Sequence, residues 1–221
     1  MKKLFALAAG AVLLFSLTAC SPREPSGQQS QSQQPSEQQS QQEQVTISRG
    51  TYNEDRTVYT NDSTGMRIEL PEGWYVYSDE EVAVALLPSV TGDELSEWGE
   101  EEFNREKVIP DTIILDPNTN NYLVIQYENL AAENATDITN ELYMENIKSQ
   151  LDKSEYDYTY EEIDNLTLSG KSYEALKGIT NMYGRTVEKL ILYTRHGDYM
   201  ICVMYTSFDG SGTDRILDCF K

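Results

Sequence analysis

Met200-Ile201-Cys202-Val203-Met204-Tyr205 is apolar at every position. Successive side chains of a strand point to opposite faces, so a strand with one wet face alternates in character, and a strand written like this one is covered on both sides. It closes a run of strand-like segments at 156–163, 171–180, 185–194 and 199–207, separated by Ser169-Gly170, Tyr183-Gly184 and His196-Gly197-Asp198. Turns this short join antiparallel neighbours, so the C-terminal part of the chain reads as a meander.

Working back from that strand, residues 66–70 (Met-Arg-Ile-Glu-Leu) alternate as a half-buried strand does, after a turn read at 59–65. Pro71-Glu72-Gly73 turns the chain into a second strand at 74–77, and Ser78-Asp79-Glu80-Glu81 offers an N-cap and first-turn acids for a helix through Leu87. The acidic stretch 92–107 reads as helical, and 111–116 and 122–127 read as a hairpin closed by Pro117-Asn118-Thr119-Asn120-Asn121. Residues 138–151 place Tyr143, Met144, Ile147 and Leu151 on one helical face, and 214–220 offers Ile216, Leu217 and Phe220 for burial. The expected fold is α+β: an antiparallel β-sheet with helices packed on both faces, an α/β/α sandwich.

The N-terminus carries a different message. Met1-Lys2-Lys3 is a short basic region, and Leu4 to Leu17 is an apolar run too short to span a bilayer. Leu17-Thr18-Ala19-Cys20 puts a cysteine directly after small residues, the pattern of a bacterial lipobox. Residues 1–19 are therefore expected to be an export signal and Cys20 the lipidated first mature residue, held at the extracytoplasmic face of the cell membrane. Residues 21–44 are almost only Gln, Ser, Pro, Glu and Gly, a composition that cannot bury enough apolar surface to fold. Residues 20–47 read as a tether with a reach of about 30 Å, and 48–221 as a single domain.

The chain has a formal net charge of −20, and the first 47 residues balance Lys2, Lys3 and Arg23 against Glu24, Glu37 and Glu43, so the whole excess sits on the domain. Nucleic acid and anionic headgroups are poor partners for such a surface.

Tyr59 to Leu70 running into Pro71-Glu72-Gly73-Trp74 and Ser78-Asp79-Glu80-Glu81, followed in order by the central hairpin, the helix, the meander with Gly197-Asp198-Tyr199 and a short last helix, resembles the PsbP-like superfamily. The Pro71 to Trp74 turn also resembles that of firmicute-type lipoproteins of the superfamily. The resemblance implies the sandwich fold and a habit of binding without catalysis, and it carries no functional residue across.

Candidate chemistry is sparse. The single histidine, His196, belongs to a turn, and there is no Gly-x-Ser-x-Gly elbow to go with it. Asp116, Asn118 and Asn120 match the first ligand spacings of a calcium loop, but Asn121 replaces its glycine and Tyr127 its glutamate, so the segment reads as hairpin chemistry. Glu100-Glu101-Glu102 and Glu161-Glu162 read as solvated faces. No metal site, cofactor or catalytic set is expected. Cys202 and Cys219 read either as a disulfide or as buried free thiols. Tyr156, Tyr158 and Tyr160 alternate and so line one face of a strand; with Trp74 and Trp98 they are the candidate binding face.

These readings favour a membrane-anchored, non-catalytic binding or accessory module for an envelope protein or component. A small-molecule or cation-binding receptor is the alternative, and a hydrolase would need two carboxylates facing each other across a cleft.

Overall fold

The computed structural model describes residues 45–87, 90–99 and 104–221. The export signal, Cys20, the tether up to residue 44 and the run Glu100-Glu101-Glu102 lie outside the described residues. Among the described residues, ten strands form two antiparallel sheets. A small one has the order β1-β2-β3, with β1 Thr51–Tyr52, β2 Val58–Asn61 and β3 Met66–Glu69. The large one runs β4-β5-β6-β10-β9-β8-β7, with β4 Tyr75–Val76, β5 Val108–Leu115, β6 Tyr122–Asn129, β7 Thr159–Leu168, β8 Lys171–Met182, β9 Arg185–His196 and β10 Tyr199–Ser207. The helices are α1 Asp79–Leu86, α2 Gly92–Glu97, α3 Asn140–Asp152 and α4 Asp214–Leu217.

The apolar strand is central, as its composition requires. Tyr199, Ile201, Val203 and Tyr205 enter one core with Tyr59, Met66, Ile68, Ile216 and Phe220. Met200 and Cys202 enter a second core with Tyr143, Ile147 and Leu151 of α3, and Met204 leans on a third beneath α1 and α2. Helices therefore lie on both faces of the fully antiparallel sheet, in an α+β fold. One face differs from expectation: its cover is mostly the β1-β2-β3 sheet, with α4 beside it and Phe220 bridging to Ile68.

Ser78 and Glu81 cap α1 reciprocally, as read from the sequence, and Thr91 and Glu94 repeat the device on α2. Other boundaries move. The turn read at 59–65 begins only after Asn61, because Val58-Tyr59-Thr60 is β-prone and Tyr59 is fully buried. The strands on either side of Pro71-Glu72-Gly73 belong to different sheets, and β7 begins at Thr159 rather than 156. Among the described residues of 92–107, only Gly92–Glu97 is helical. The boundary expected at 48 falls inside the fold: Ile47 is buried, its amide donates to Asn104 Oδ1 (3.0 Å), and its carbonyl accepts from Asn104 Nδ2 (2.8 Å).

Asp111 joins the two sheets. The β5–β6 register slips between Pro110 and Thr112, and such a bulge re-aims the extra residue. The buried Asp111 side chain lies in the core shared with the small sheet. There Asp111 Oδ2 accepts from the hydroxyls of Tyr59 and Tyr127 and from Asn61 Nδ2 (3.3 Å), while Oδ1 accepts from the Gly50 amide (3.0 Å). Residue 50 has to be glycine here, since a Cβ would lie 2.1 Å from the Tyr59 ring.

Candidate functional site

The registers of all seven strands align one rung on the face that carries α1 and α3. Tyr75 opposes Leu115, Leu115 opposes Tyr122, and Tyr122 opposes Thr206. Thr206 then opposes Lys189, Lys189 opposes Gly178, and Gly178 opposes Tyr160. Paired residues in an antiparallel ladder project to the same side, so these side chains stand abreast across the sheet. Residues two positions away add to the group. Tyr158 stacks on Tyr160 with centroids 6.3 Å apart and planes 11° apart, Phe208 lies 5.9 Å from Tyr122, and Tyr77 lies 5.8 Å from Tyr75.

Gly178 makes the arrangement possible, because its missing side chain leaves the space Tyr158 fills: a Cβ there would lie 3.1 Å from Tyr158 Cδ1. Lys189 Nζ then sits 5.9 Å from the Tyr158 ring centroid. Lys189 is 8% exposed, and among the described residues no carboxylate stands within ion-pair reach of it. Burial lowers its pKa to about 8. Burial also raises the Tyr122 phenol, pushes Tyr158 up to about 12 and, with a hydrogen bond to Asp152, raises Tyr160. Near neutral pH the patch is thus a set of neutral aromatic rings around one cation. Tyr77, Tyr122, Tyr158, Tyr160 and Met204 are all only half-buried, so the patch opens to solvent.

Of the five aromatic residues expected to form a binding face, two are in this patch. Tyr158 and Tyr160 belong to it, whereas Tyr156 precedes β7 and meets Tyr183 edge-on at the β8–β9 hairpin tip. Trp74 is on the opposite face, parallel to Tyr205 at 6.3 Å, where it helps to line a shallow pocket of about 380 Å³ with Arg215, Asp218 and Lys221. Trp98 is half-buried and packs against the α1–α2 core. The expected single face is therefore corrected to four separate locations. Tyr77, Tyr122, Gly178 and Lys189 were not singled out from sequence, because only the strand register brings them together.

Beneath the same face lies a buried acid. Glu128 is fully buried, and neither of its carboxyl oxygens completes a hydrogen bond among the described residues, although the Tyr143 hydroxyl lies beside it. Burial raises its pKa to about 8, opposed by Tyr143 and reinforced by the charge of Glu133. Glu133 is itself buried and holds Lys107 Nζ at 3.4 Å.

The remaining candidates take ordinary places. Asp116 accepts from the Asn118 amide (2.9 Å) and the Thr119 hydroxyl (2.8 Å), and Asn120 takes φ +62°, which completes a hairpin turn. His196 ends β9 opposite Tyr199. No group of three or more His, Cys, Asp or Glu among the described residues is placed to hold a metal ion. No described helix is long and apolar enough to cross a membrane.

Cys202 and Cys219 are both free thiols, and they enter different cores on opposite faces of the sheet, so the disulfide reading is corrected. Burial, and then the charge of Glu128, raises the Cys202 thiol. In a Cys20→Ser chain unfolded without reductant, both thiols are expected to react with a chromogenic disulfide reagent. In the native state Cys202 is expected to react far more slowly. A count of zero after unfolding would show the pair to be bonded.

The molecule is thus an antiparallel α+β sandwich with one aromatic patch built around a buried lysine. Among solved structures it is similar to cyanobacterial PsbP (CyanoP) from Synechocystis sp. PCC 6803, determined in solution, at 13% identity and a TM-score of 0.43, over 74% of this chain and 90% of that one. No family model matches the chain. No curated protein matches it.

Proposed function

We propose that this chain is an extracytoplasmic lipoprotein of the firmicute type, anchored through lipid on Cys20, whose domain is a non-catalytic binding or accessory module for an envelope protein or component. The observation that carries the binding reading is the row of half-buried tyrosines Tyr77, Tyr122, Tyr158 and Tyr160 on one sheet face, with Lys189 against the Tyr158 ring. Half-buried tyrosines offer large rigid contact area at low entropic cost, and a buried cation without an acid in reach leaves an interaction open. The anchor reading is supported by Leu17-Thr18-Ala19-Cys20 and by the unfoldable tether that follows it. A net charge of −20 makes nucleic acid a poor partner.

The test is crosslinking in membranes of the native organism, followed by purification of the wild-type chain and of a Cys20→Ser chain. Reproducible partners that are lost with Cys20→Ser support an anchored module. Identical partner sets from both chains would overturn the role of the anchor, and an absence of adducts from both would overturn the binding reading.

A further inference from the structure

We propose that the patch takes a carboxylate carried on a flat ring, with Lys189 holding the carboxylate and the Tyr158 and Tyr122 rings holding the ring. The inference rests on the binding reading above and adds the ligand's chemistry to it.

Several cations of this domain pair with acids. Arg49 pairs with Asp79 at 2.5 Å, Lys148 with Glu145 and Glu162, Lys177 with Glu188, and Lys107 with Glu133. Lys189 is more buried than any of these cations, yet its ammonium meets the Tyr158 ring and no acid among the described residues. The chain has 37 acidic residues, so the lack of an acid here is not a shortage of supply. Its neighbours on the rung, Thr206 and Gly178, contribute one hydroxyl and no side chain.

The groups around Lys189 come from several elements. They are Tyr158 before β7, which Lys189 Nζ faces, Tyr160 on β7, whose hydroxyl donates to Asp152 Oδ1 (2.6 Å) at the end of α3, and, two strands away on the same rung, Tyr122 on β6. The phenols stay protonated near neutral pH, so an arriving anion meets one ammonium flanked by apolar ring faces. A flat ring bearing a carboxylate satisfies both parts, since its face stacks on tyrosine and its edge accepts from the ammonium. A cationic ligand would meet the Lys189 charge and be repelled.

The experiment is an NMR titration of the full-length chain, ¹³C-labelled at the lysine ε-carbons, with sodium benzoate and, separately, with benzamide. Benzoate is expected to shift the Lys189 signal to saturation, and benzamide to bind about tenfold to a hundredfold more weakly, as loss of a charge-assisted bond implies. Lys189→Met is expected to abolish the preference for benzoate, and Lys189→Arg to retain it. Above the titration of Lys189, affinity for benzoate is expected to fall about tenfold per pH unit, because the neutral amine cannot hold the anion. Equal binding of benzoate and benzamide at the tyrosines would overturn the anion assignment and leave the binding reading standing. No response to either compound, with membrane crosslinks intact, would do the same; no response together with no crosslinks would overturn both.

Discussion

Replacing Asp111 with alanine is expected to lower the stability of the domain by about 3–5 kcal/mol, a large share of the roughly 5–15 kcal/mol typical of a folded protein. The carboxylate is fully enclosed and holds four donors from three parts of the chain: the Gly50 amide ahead of β1, Tyr59 and Asn61 on β2, and Tyr127 on β6. Alanine would leave these groups buried with one acceptor fewer each. Asp111→Asn keeps the shape and one acceptor oxygen, so it is expected to cost less than Asp111→Ala. Burial raises the Asp111 pKa, opposed by the two phenols, the Gly50 amide and Arg49, so its charge is held at some expense already. Urea unfolding of the three chains checks the order. A loss below about 1 kcal/mol for Asp111→Ala would mean that the two sheets are held together by their apolar core alone.

Glu128→Gln is expected to work in the opposite direction and to stabilise the domain by about 2–3 kcal/mol at pH 7. The pKa of Glu128 rises from the ordinary 4.5 to about 8 in the fold. Between these values the folded chain holds a proton that the unfolded chain has released, so stability falls as pH rises. The contribution of Glu128 is complete below about pH 4.5, declines from there, and is gone by about pH 8. Glutamine has nearly the shape of the protonated acid and does not titrate, so the two chains are expected to have similar stability near pH 4 and to separate steadily as pH rises. Thermal unfolding from pH 4 to pH 8 measures the divergence. Parallel curves would show that water or a shifted side chain satisfies the carboxylate.

Much of the fold was legible because it is written into single segments. The unbroken apolar run at 200–205 announced a strand covered on both faces, and Ser78 with Glu81 announced the start of α1. What covers each face is decided by pairing across long stretches of chain, and no segment announces it. Nothing local to Phe220 says that it bridges to Ile68, and the small β1-β2-β3 sheet was missed with it. Pro110 inside a strand-like run was a usable signal: proline cannot donate to a ladder and marks a bulge, which would have pointed to Asp111 as a re-aimed side chain. The aromatic patch was only half legible. Alternation placed Tyr158 and Tyr160 on one face, but Lys189 and Tyr122 join them through four strand registers that no local pattern contains.

We propose that the domain binds its partner through the Tyr158–Lys189 patch while anchored at Cys20. The most direct measurement is to place a photocrosslinking phenylalanine derivative at position 158 in one chain and at position 74, on the opposite face, in another, and to irradiate each in native membranes. A defined adduct is expected from position 158 that disappears when Cys20→Ser is added, and none from position 74. Adducts from position 74 with none from position 158 would contradict the proposal and move the binding surface to the pocket beside Arg215 and Lys221.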